Sequence, residues 1–353
     1  MQLFLTFAAY TFFVAVYSWY KLKKEKLTSK EGYFLGGRSL TGIVIAGSML
    51  LTNISTEHLI GMNGSSYKNG FIVIGWEVTS ALALVAAAIF FVPMYLKMGL
   101  TTIPEFLEKR FDSRSRWFLS IFSLLGYVIT KVSVTIYAGG IVVSELIGIP
   151  FWYGAIGIVI FTGVYTVIGG LKAVIYTETL QTIILIAGSV IITYLGLNEV
   201  GGWSNLRETV GPEHFNMWRP MSDPDFPWTG LLFGGTIVGI WYWCTDQYIV
   251  QRTLAANNIK IGRRGAIFAA YLKILPIFIF LIPGVIAFAL HKQGVIQLER
   301  SDEAFPLLVK TLLPVGVKGL VAGGLMAALM SSLASVFNSC STIFTMDLSL
   351  IHI

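Results

Sequence analysis

Two stretches place polar side chains where the surrounding sequence is apolar. In "TNISTEHLIGMNGSS", residues 52–66, Asn53, Ser55, Thr56, Glu57 and His58 crowd within six residues beside Gly61 and Gly64. In "IWYWCTDQYIVQR", residues 240–252, Thr245, Asp246, Gln247 and Gln251 follow Trp241, Tyr242 and Trp243, with Gly230, Gly234, Gly235 and Gly239 just upstream. These groups are hydrogen-bond donors and acceptors more than reagents. Neither Ser331 nor His58 belongs to a recognisable set of nucleophile, base and orienting group, so an enzyme is the weakest of the functional readings. The four histidines, at 58, 214, 291 and 352, show no metal-ligand spacing. A phosphate-cradling loop is also missing. Polar groups of this kind, set in apolar sequence, suit a cavity that binds a small polar solute.

The elements that must position them are membrane helices. The chain has 353 residues, 55% hydrophobic and 12% charged, and its charges gather between long apolar runs. That is the pattern of a polytopic membrane protein. A hydrocarbon core of about 30 Å takes about 20 apolar residues of helix. Nine runs are long enough, at 2–20, 41–63, 71–96, 117–147, 151–168, 173–197, 228–250, 266–290 and 318–346. The first lacks a basic leader and a small-residue cleavage site, and Lys-rich sequence follows it, so it is expected to stay as a helix.

Placing the N-terminus outside gives the inner loops Lys21, Lys23, Lys24, Lys26, Lys30, Arg38, Lys97, Lys109, Arg110, Arg114, Arg116, Lys172, Arg252, Lys260, Arg263 and Arg264. The outer side keeps only Lys68, Arg207, Arg219, Lys292, Arg300, Lys310 and Lys318. The excess fits the positive-inside rule, so the net charge of +6 reflects topology. The partners expected are a lipid bilayer and a small molecule, with no nucleic acid, because the basic clusters flank spans and lack aromatic platforms. Cys244 and Cys340 both lie in apolar spans, so a disulfide framework is not expected. The Trp- and Pro-rich segment 198–227 is either an external loop packed over the bundle or a simple connector. At 102–105, "TIPE" reads as the capped start of a short helix at the basic end.

With the run at 2–20 set aside as peripheral, the two polar, glycine-interrupted spans are the first of each half, 41–63 and 228–250. Matching broken spans in two halves point to an inverted-repeat transporter with a site near the midplane.

The sequence also resembles a known family. "GYFLGGRSL", "NISTEHLIGMNGSSY", "TTIPEFLEKRF", "VYTVIGGLKAVIYTETLQT", "IWYWCTDQYIVQRTLAA", "YLKILPIFIFLIPG" and "LMAALMSSLASVFNSCSTIFTMD" occur in order between about residue 30 and 347. Each is similar to a signature of the sodium/solute symporters of the sodium/glucose cotransporter type, with the bacterial sodium/sugar branch nearest in flavour. The resemblance implies an all-α polytopic membrane protein with a LeuT-like core of two inverted five-helix repeats and an extra N-terminal helix. The expected organisation is that helix and a basic loop at 1–38, a first repeat at 39–197, an external loop at 198–227, three helices of the second repeat at 228–347, and an atypical tail at 348–353. Relatives continue after "TMD" through further helices, so the sequence is expected to be C-terminally truncated, to fold poorly or transport weakly, and to sit in a plasma membrane, a bacterial inner membrane by the branch it resembles.

Carried over residue by residue, the resemblance implies that sodium, the co-transported ion, is held by Leu51, Ile54, Ala328, Ser331 and Ser332. Hydroxyl and carbonyl oxygens at a helix interruption suit this hard cation. Without the resemblance, "SSLAS" at 331–335 would read as a small-residue packing face. The sugar or polyol, glucose-like or inositol-like, falls to His58, Met62, Glu77, Ser80, Tyr242, Trp243 and Lys273. Among these, Glu77 and Lys273 are the most informative, since an ionisable group at a helix centre costs roughly 2.5–3.5 kcal/mol on insertion scales and is a functional-site hypothesis by default. The alternative is a pair that only stabilises the bundle. Asn53, Glu178, Asp246 and Gln247 are expected to couple the site to an inner gate, with Tyr242 as the stacking gate, and Asp246 and Gln247 placed lower on the same helix. Two positions depart from the family: Gly239 stands where sugar transporters carry Asn or Thr, and Glu178 where many carry Asp. Substrate choice is open to inositol, vitamins and amino acids. A sensor that binds solute without moving it is the rival from another class.

Overall fold

The computed structural model describes residues 29–55 and 58–349, together with 9, 12, 13, 16, 17, 19, 20 and 23. Most of the expected span at 2–20, Thr56 and Glu57, and residues 350–353 of the tail lie outside the described residues. Twelve of the described helical segments build the bundle and its site. They are α1 (Gly42–Asn53), α2 (His58–Lys97), α3 (Ile103–Arg110) and α4 (Ser113–Leu146); α5 and α6, which are 151–169 and 171–200; α7 (Gly202–Val210) and α8 (Gly230–Thr245); α9 (Gln247–Leu254), α10 (Ile259–Lys292), α11 (Ala304–Leu312) and α12 (Gly316–Ser349).

The breaks between these segments do most to position the site. The apolar run of α1 ends at Ile54, where the backbone leaves the helix at φ −73°, ψ 80°. The span expected at 41–63 is therefore two pieces, α1 and the first turns of α2. Gly70, at φ +75°, bends α2, and a Cβ there would lie 2.2 Å from the His214 carbonyl oxygen, so only glycine fits where the 198–227 segment crosses. Gly170, at φ 54° and ψ −154°, divides α5 from α6, between the spans expected at 151–168 and 173–197. Asp246, at φ −76° and ψ 117°, separates α8 from α9, and its side chain accepts a hydrogen bond from the Tyr248 N–H to cap the new helix. Asp246 and Gln247 thus sit at a helix break and on the helix that follows it, a correction to their expected place lower on the same helix as Tyr242. α3 starts as its sequence predicts: Thr102 Oγ1 accepts from the Glu105 N–H, and Glu105 Oε2 accepts from the Thr101 N–H at 2.8 Å.

Six of the described helices are long and apolar enough to cross a membrane, and α1 and α8 are shorter apolar pieces. α12 is the centre of the bundle: 88% of its most apolar window is buried, against 17% for α4. α5 and α6 pack on α12, and α10 packs on α1. The apolar core lies in two layers. One, with Ile286, Phe305, Leu308 and Leu329, backs toward the 198–227 segment. The other, with Leu35, Leu100, Ile103 and Leu254, backs toward the Lys- and Arg-rich end. Polar side chains occupy the level between them.

Candidate functional site

At that level a cavity of about 320 Å³ opens between α1, α2, α8 and α10. A hollow lined by His58, Gly61, Met62, Ser65, Val73 and Trp76 shares His58, Met62 and Trp76 with it and leads on toward the 198–227 side. The structure brings His58, Met62, Glu77, Ser80, Tyr242, Trp243 and Lys273 to this one cavity, with Asn53 beside them. Lys273 Nζ lies 2.5 Å from Glu77 Oε2 and donates to Asn53 Oδ1 at 2.6 Å, so the two intramembrane charges pair directly. The ammonium also stands 5.1 Å from the centre of the Trp243 ring, within cation–π range. Asn53 Nδ2 approaches His58 Nε2 at 3.3 Å. With that nitrogen accepting, Nδ1–H is left to donate to Ser55 Oγ at 3.2 Å. Tyr242 packs edge-on against Trp243, with ring centres 5.0 Å apart. The lining therefore offers an aromatic wall, a fixed ion pair and an amide, the mixture of apolar surface and few convergent polar groups that a small polar ligand needs.

Gly239 has a local reason. A Cβ there would lie 3.3 Å from Ala83 Cβ and 3.3 Å from the Thr79 carbonyl, and one at Gly235 would lie 3.2 Å from Thr79. These two glycines, one helical turn apart, let α8 close against α2, and a larger side chain at 239 would push the walls apart.

The expected sodium positions lie beside the break after α1. Ser55 gives its N–H to Asn53 O at 2.8 Å, and His58 gives its own to Ser55 O at 3.0 Å. The Leu51 and Ile54 carbonyls are thereby deprived of their usual helical donors. They point from a helix C-terminus, which carries partial negative charge. On α12, Ser331 Oγ donates to Glu178 Oε1 at 3.0 Å and Ser332 Oγ donates to the Ala328 carbonyl at 3.1 Å, leaving hydroxyl lone pairs free to accept a cation. Freed carbonyls and hydroxyls are the donors a sodium ion takes.

Glu178 is the centre of a second, closed cluster. Its carboxylate accepts from Ser48, Thr52, Ser331 and Ser335 at 2.9–3.1 Å and pairs with Arg252 Nη2 at 3.4 Å. Both side chains of the pair are fully buried. By sequence Arg252 belongs among the loop charges on the basic side. The structure corrects this: it is inside α9, held by Glu178, by Ser335 Oγ at 2.6 Å and by the Tyr248 carbonyl.

Below the cavity, toward the basic end, Asp246 Oδ2 pairs with Lys131 Nζ at 2.6 Å, and Asp246 Oδ1 accepts from the Tyr127 hydroxyl. Lys131 lines the cavity floor, with its Nζ 3.9 Å from the Tyr248 ring centre and 5.0 Å from that of Tyr242. Gln247 sits one layer lower and ties the break to the start of α3, accepting from the Ile103 N–H at 2.9 Å and donating to the Thr101 carbonyl at 3.3 Å. A third layer joins Arg116 to Asp347 at 2.6 Å and to Glu108 at 2.5 Å, with Thr102 Oγ1 donating to Asp347 at 2.7 Å. Three polar layers thus lie between the cavity and the basic end.

Sequence reading missed Lys131, Tyr127, Tyr248 and Arg252. Lys131 carried a usable signal, because it is an ionisable residue inside the apolar run 117–147, the same criterion that marked Glu77 and Lys273. Among the described residues there is no group of three or more His, Cys, Asp or Glu side chains placed to hold a metal ion.

Residues 33–351 match the sodium:solute symporter family. Curated relatives include mouse sodium/glucose cotransporter 4, 38% identical over 96% of this chain and 54% of that protein, and human sodium/myo-inositol cotransporter 2, 38% identical over 96% of this chain and 55% of that one. The chain thus spans about half the length of these relatives. A sodium-coupled sialic acid symporter, solved in a substrate-bound, outward-open state with a novel sodium site, superposes with a TM-score of 0.90 at 26% identity, covering 99% of this chain and 75% of that one.

Proposed function

This chain belongs to the sodium:solute symporter family, and on that premise we propose that its cavity binds a sugar or related polyol for symport with sodium by alternating access. It is an integral multi-pass membrane protein of a transporter family and not an enzyme. The observation that carries the reading is the Lys273–Glu77 pair, with Asn53 on Lys273, set against Tyr242 and Trp243 in one cavity between helices of the two halves. A sugar's hydroxyls need paired donors and acceptors, which Glu77, Lys273, Asn53, His58 and Ser80 supply, and its apolar ring face needs an aromatic surface. A neutral polyol also leaves the ion pair intact, whereas a charged solute would have to break it.

Sodium goes to the Leu51 and Ile54 carbonyls, the Ala328 carbonyl, and the Ser331 and Ser332 hydroxyls. Binding there would pin the end of α1 to α12, and Asn53 follows Thr52 directly into the cavity, so the ion sets the position of a substrate contact. Moving one charge down 100 mV releases about 2.3 kcal/mol and a tenfold gradient about 1.4, so one sodium supports a several-hundred-fold solute gradient.

The N-terminus lies outside, and the basic end is cytoplasmic. Tyr242, the Lys131–Asp246 pair and Gln247 then form the inner closure, and the hollow beside His58 and Trp76 is the outward path. Release to the cytoplasm needs Lys131 and Asp246 to part, together with the Gln247 contacts to α3. The first repeat runs over 39–197, and 228–347 supplies helices of the second, with 198–227 as the external connection.

The test is uptake of labelled glucose, galactose and myo-inositol into proteoliposomes, with and without an inward sodium gradient. Gradient-driven accumulation supports symport. Sodium-dependent binding with no accumulation favours a sensor, and neither binding nor uptake of any of the three removes the sugar and polyol assignment.

A further inference from the structure

On the outside of α10, away from the cavity, a hollow of about 650 Å³ is lined by Lys260, Arg263, Arg264, Ile267, Phe268 and Tyr271, with Ile259 at its end. These residues form one stripe at helical spacing, three cations followed by three apolar or aromatic side chains. Lys260, Arg263, Arg264, Phe268 and Tyr271 are all exposed.

Two features of the stripe are costly without a counter-charge. Its cations occupy the first two turns of the helix, where the backbone dipole favours anions, and that first turn contains no acidic residue. Among the described residues none of the three forms an ion pair, and Arg263 donates only to the Ala88 carbonyl, at 3.1 Å.

Depth fits the two halves of the stripe to two parts of a lipid. Lys273 lies at the level of the cavity, near the midplane. At 1.5 Å per residue, Arg263 and Arg264 are about 15 Å from it, the half-thickness of the hydrocarbon core, and Lys260 is a turn farther out. The cations therefore stand at the level of the phosphates, while Ile267, Phe268 and Tyr271 descend into the acyl region.

We infer that this stripe is a binding site for an anionic phospholipid, its headgroup phosphate held by Lys260, Arg263 and Arg264 and its acyl chain laid along Phe268 and Tyr271. The occupant is a lipid and not a free anion, because the cations continue directly into an exposed aromatic surface with no polar far wall among the described residues. α10 carries Lys273 thirteen residues farther on and packs on α1, so a lipid fixed here would steady one wall of the cavity. The inference does not depend on what the cavity binds.

The test titrates phosphatidylglycerol into the detergent-solubilised protein and follows its thermal unfolding, with phosphatidylcholine and inorganic phosphate as parallel arms. Phosphatidylglycerol alone is expected to stabilise. In a K260Q/R263Q/R264Q variant the apparent affinity should fall on the order of a hundredfold, at roughly fivefold per basic residue near an anionic headgroup. Removing three other basic-end charges, in K97Q/R110Q/R114Q, should leave it nearly unchanged. Tyr271→Ala should weaken phosphatidylglycerol binding while leaving any response to phosphate alone. Arg264→Gln by itself gives a readable fraction of the effect should the triple variant not fold. Equal loss in both triple variants, which would indicate only diffuse attraction to the basic end, overturns the site. So does a titration unaffected by the substitutions at 260, 263 and 264, the result expected if another segment or a second copy covers the stripe.

Discussion

Thr52 and Asn53 are neighbours at the end of α1, and they face two buried ion pairs of different character. Thr52 donates to Glu178, whose carboxylate also accepts from three serine hydroxyls and pairs with Arg252, both side chains of the pair being fully buried. Asn53 accepts from Lys273, whose pairing with Glu77 forms a wall of an open cavity. The difference is access. A charge pair closed off from solvent can only hold helices together, here α1, α6, α9 and α12. A pair with space in front of it can also hydrogen-bond a ligand. A sodium ion binding at Ser331 would touch the closed cluster through the Ser331–Glu178 hydrogen bond, so the short segment from Thr52 to Asn53 links the two centres.

Breaking the closed pair should have the largest effect. Glu178→Ala strands Arg252 without a counter-charge and should cost about 3–5 kcal/mol. The expected result is loss of detergent-stable protein in thermal unfolding, with substantial recovery in Glu178→Ala/Arg252→Met. Lys273→Met tests the open pair. Water can reach Glu77 through the cavity, so the stability loss should be smaller, about 1–3 kcal/mol, while sugar or polyol binding falls below detection. If the two variants lose the same stability, the distinction between sealed and accessible pairs is wrong.

Smaller effects sharpen the comparison at its edges. Gly70→Ala forces a Cβ onto the His214 carbonyl at a positive φ and should cost about 1–3 kcal/mol, read as faster proteolysis of the 198–227 segment. Gln247→Ala removes two hydrogen bonds to the start of α3 and should cost about 1–2 kcal/mol. On the inner-closure reading, it should also raise access of a cytoplasmic thiol probe to a cysteine introduced at Val238. Glu303→Gln is the control. Its pairing with Arg300 spans neighbouring turns with Arg300 half exposed, and the change should stay within about 0.5 kcal/mol.

Much of this architecture was legible from residue order. Glycines and polar clusters mark 41–63 and 228–250 as interrupted spans, because backbone can leave the helix within a membrane only where protein or a cavity satisfies it; that the second interruption falls at Asp246 itself comes from the structure alone. Charge cost marked Glu77 and Lys273, although their contact joins residues 196 positions apart and no local rule gives it. Arg252 was misplaced because a charge at the end of an apolar run looks the same whether it turns outward to a loop or inward to Glu178. Only the fold of α6 against α12 brings that carboxylate into reach. Lys131 was passed over for a related reason: its counter-charge, Asp246, lies in another span, and in sequence the lysine stands alone. In sequence Gly239 is only a departure from the Asn or Thr of sugar transporters; its packing role depends on Thr79 and Ala83 across the interface, which no local rule gives.

The most direct test of the central proposal is equilibrium binding of labelled glucose and myo-inositol to the purified chain in sodium and in choline, with Lys273→Met and Ser331→Ala beside the unmodified protein. Binding that requires sodium, disappears in Lys273→Met and loses its sodium dependence in Ser331→Ala is the expected result. Sugar or inositol binding that is indifferent to sodium and unchanged by Lys273→Met would contradict it.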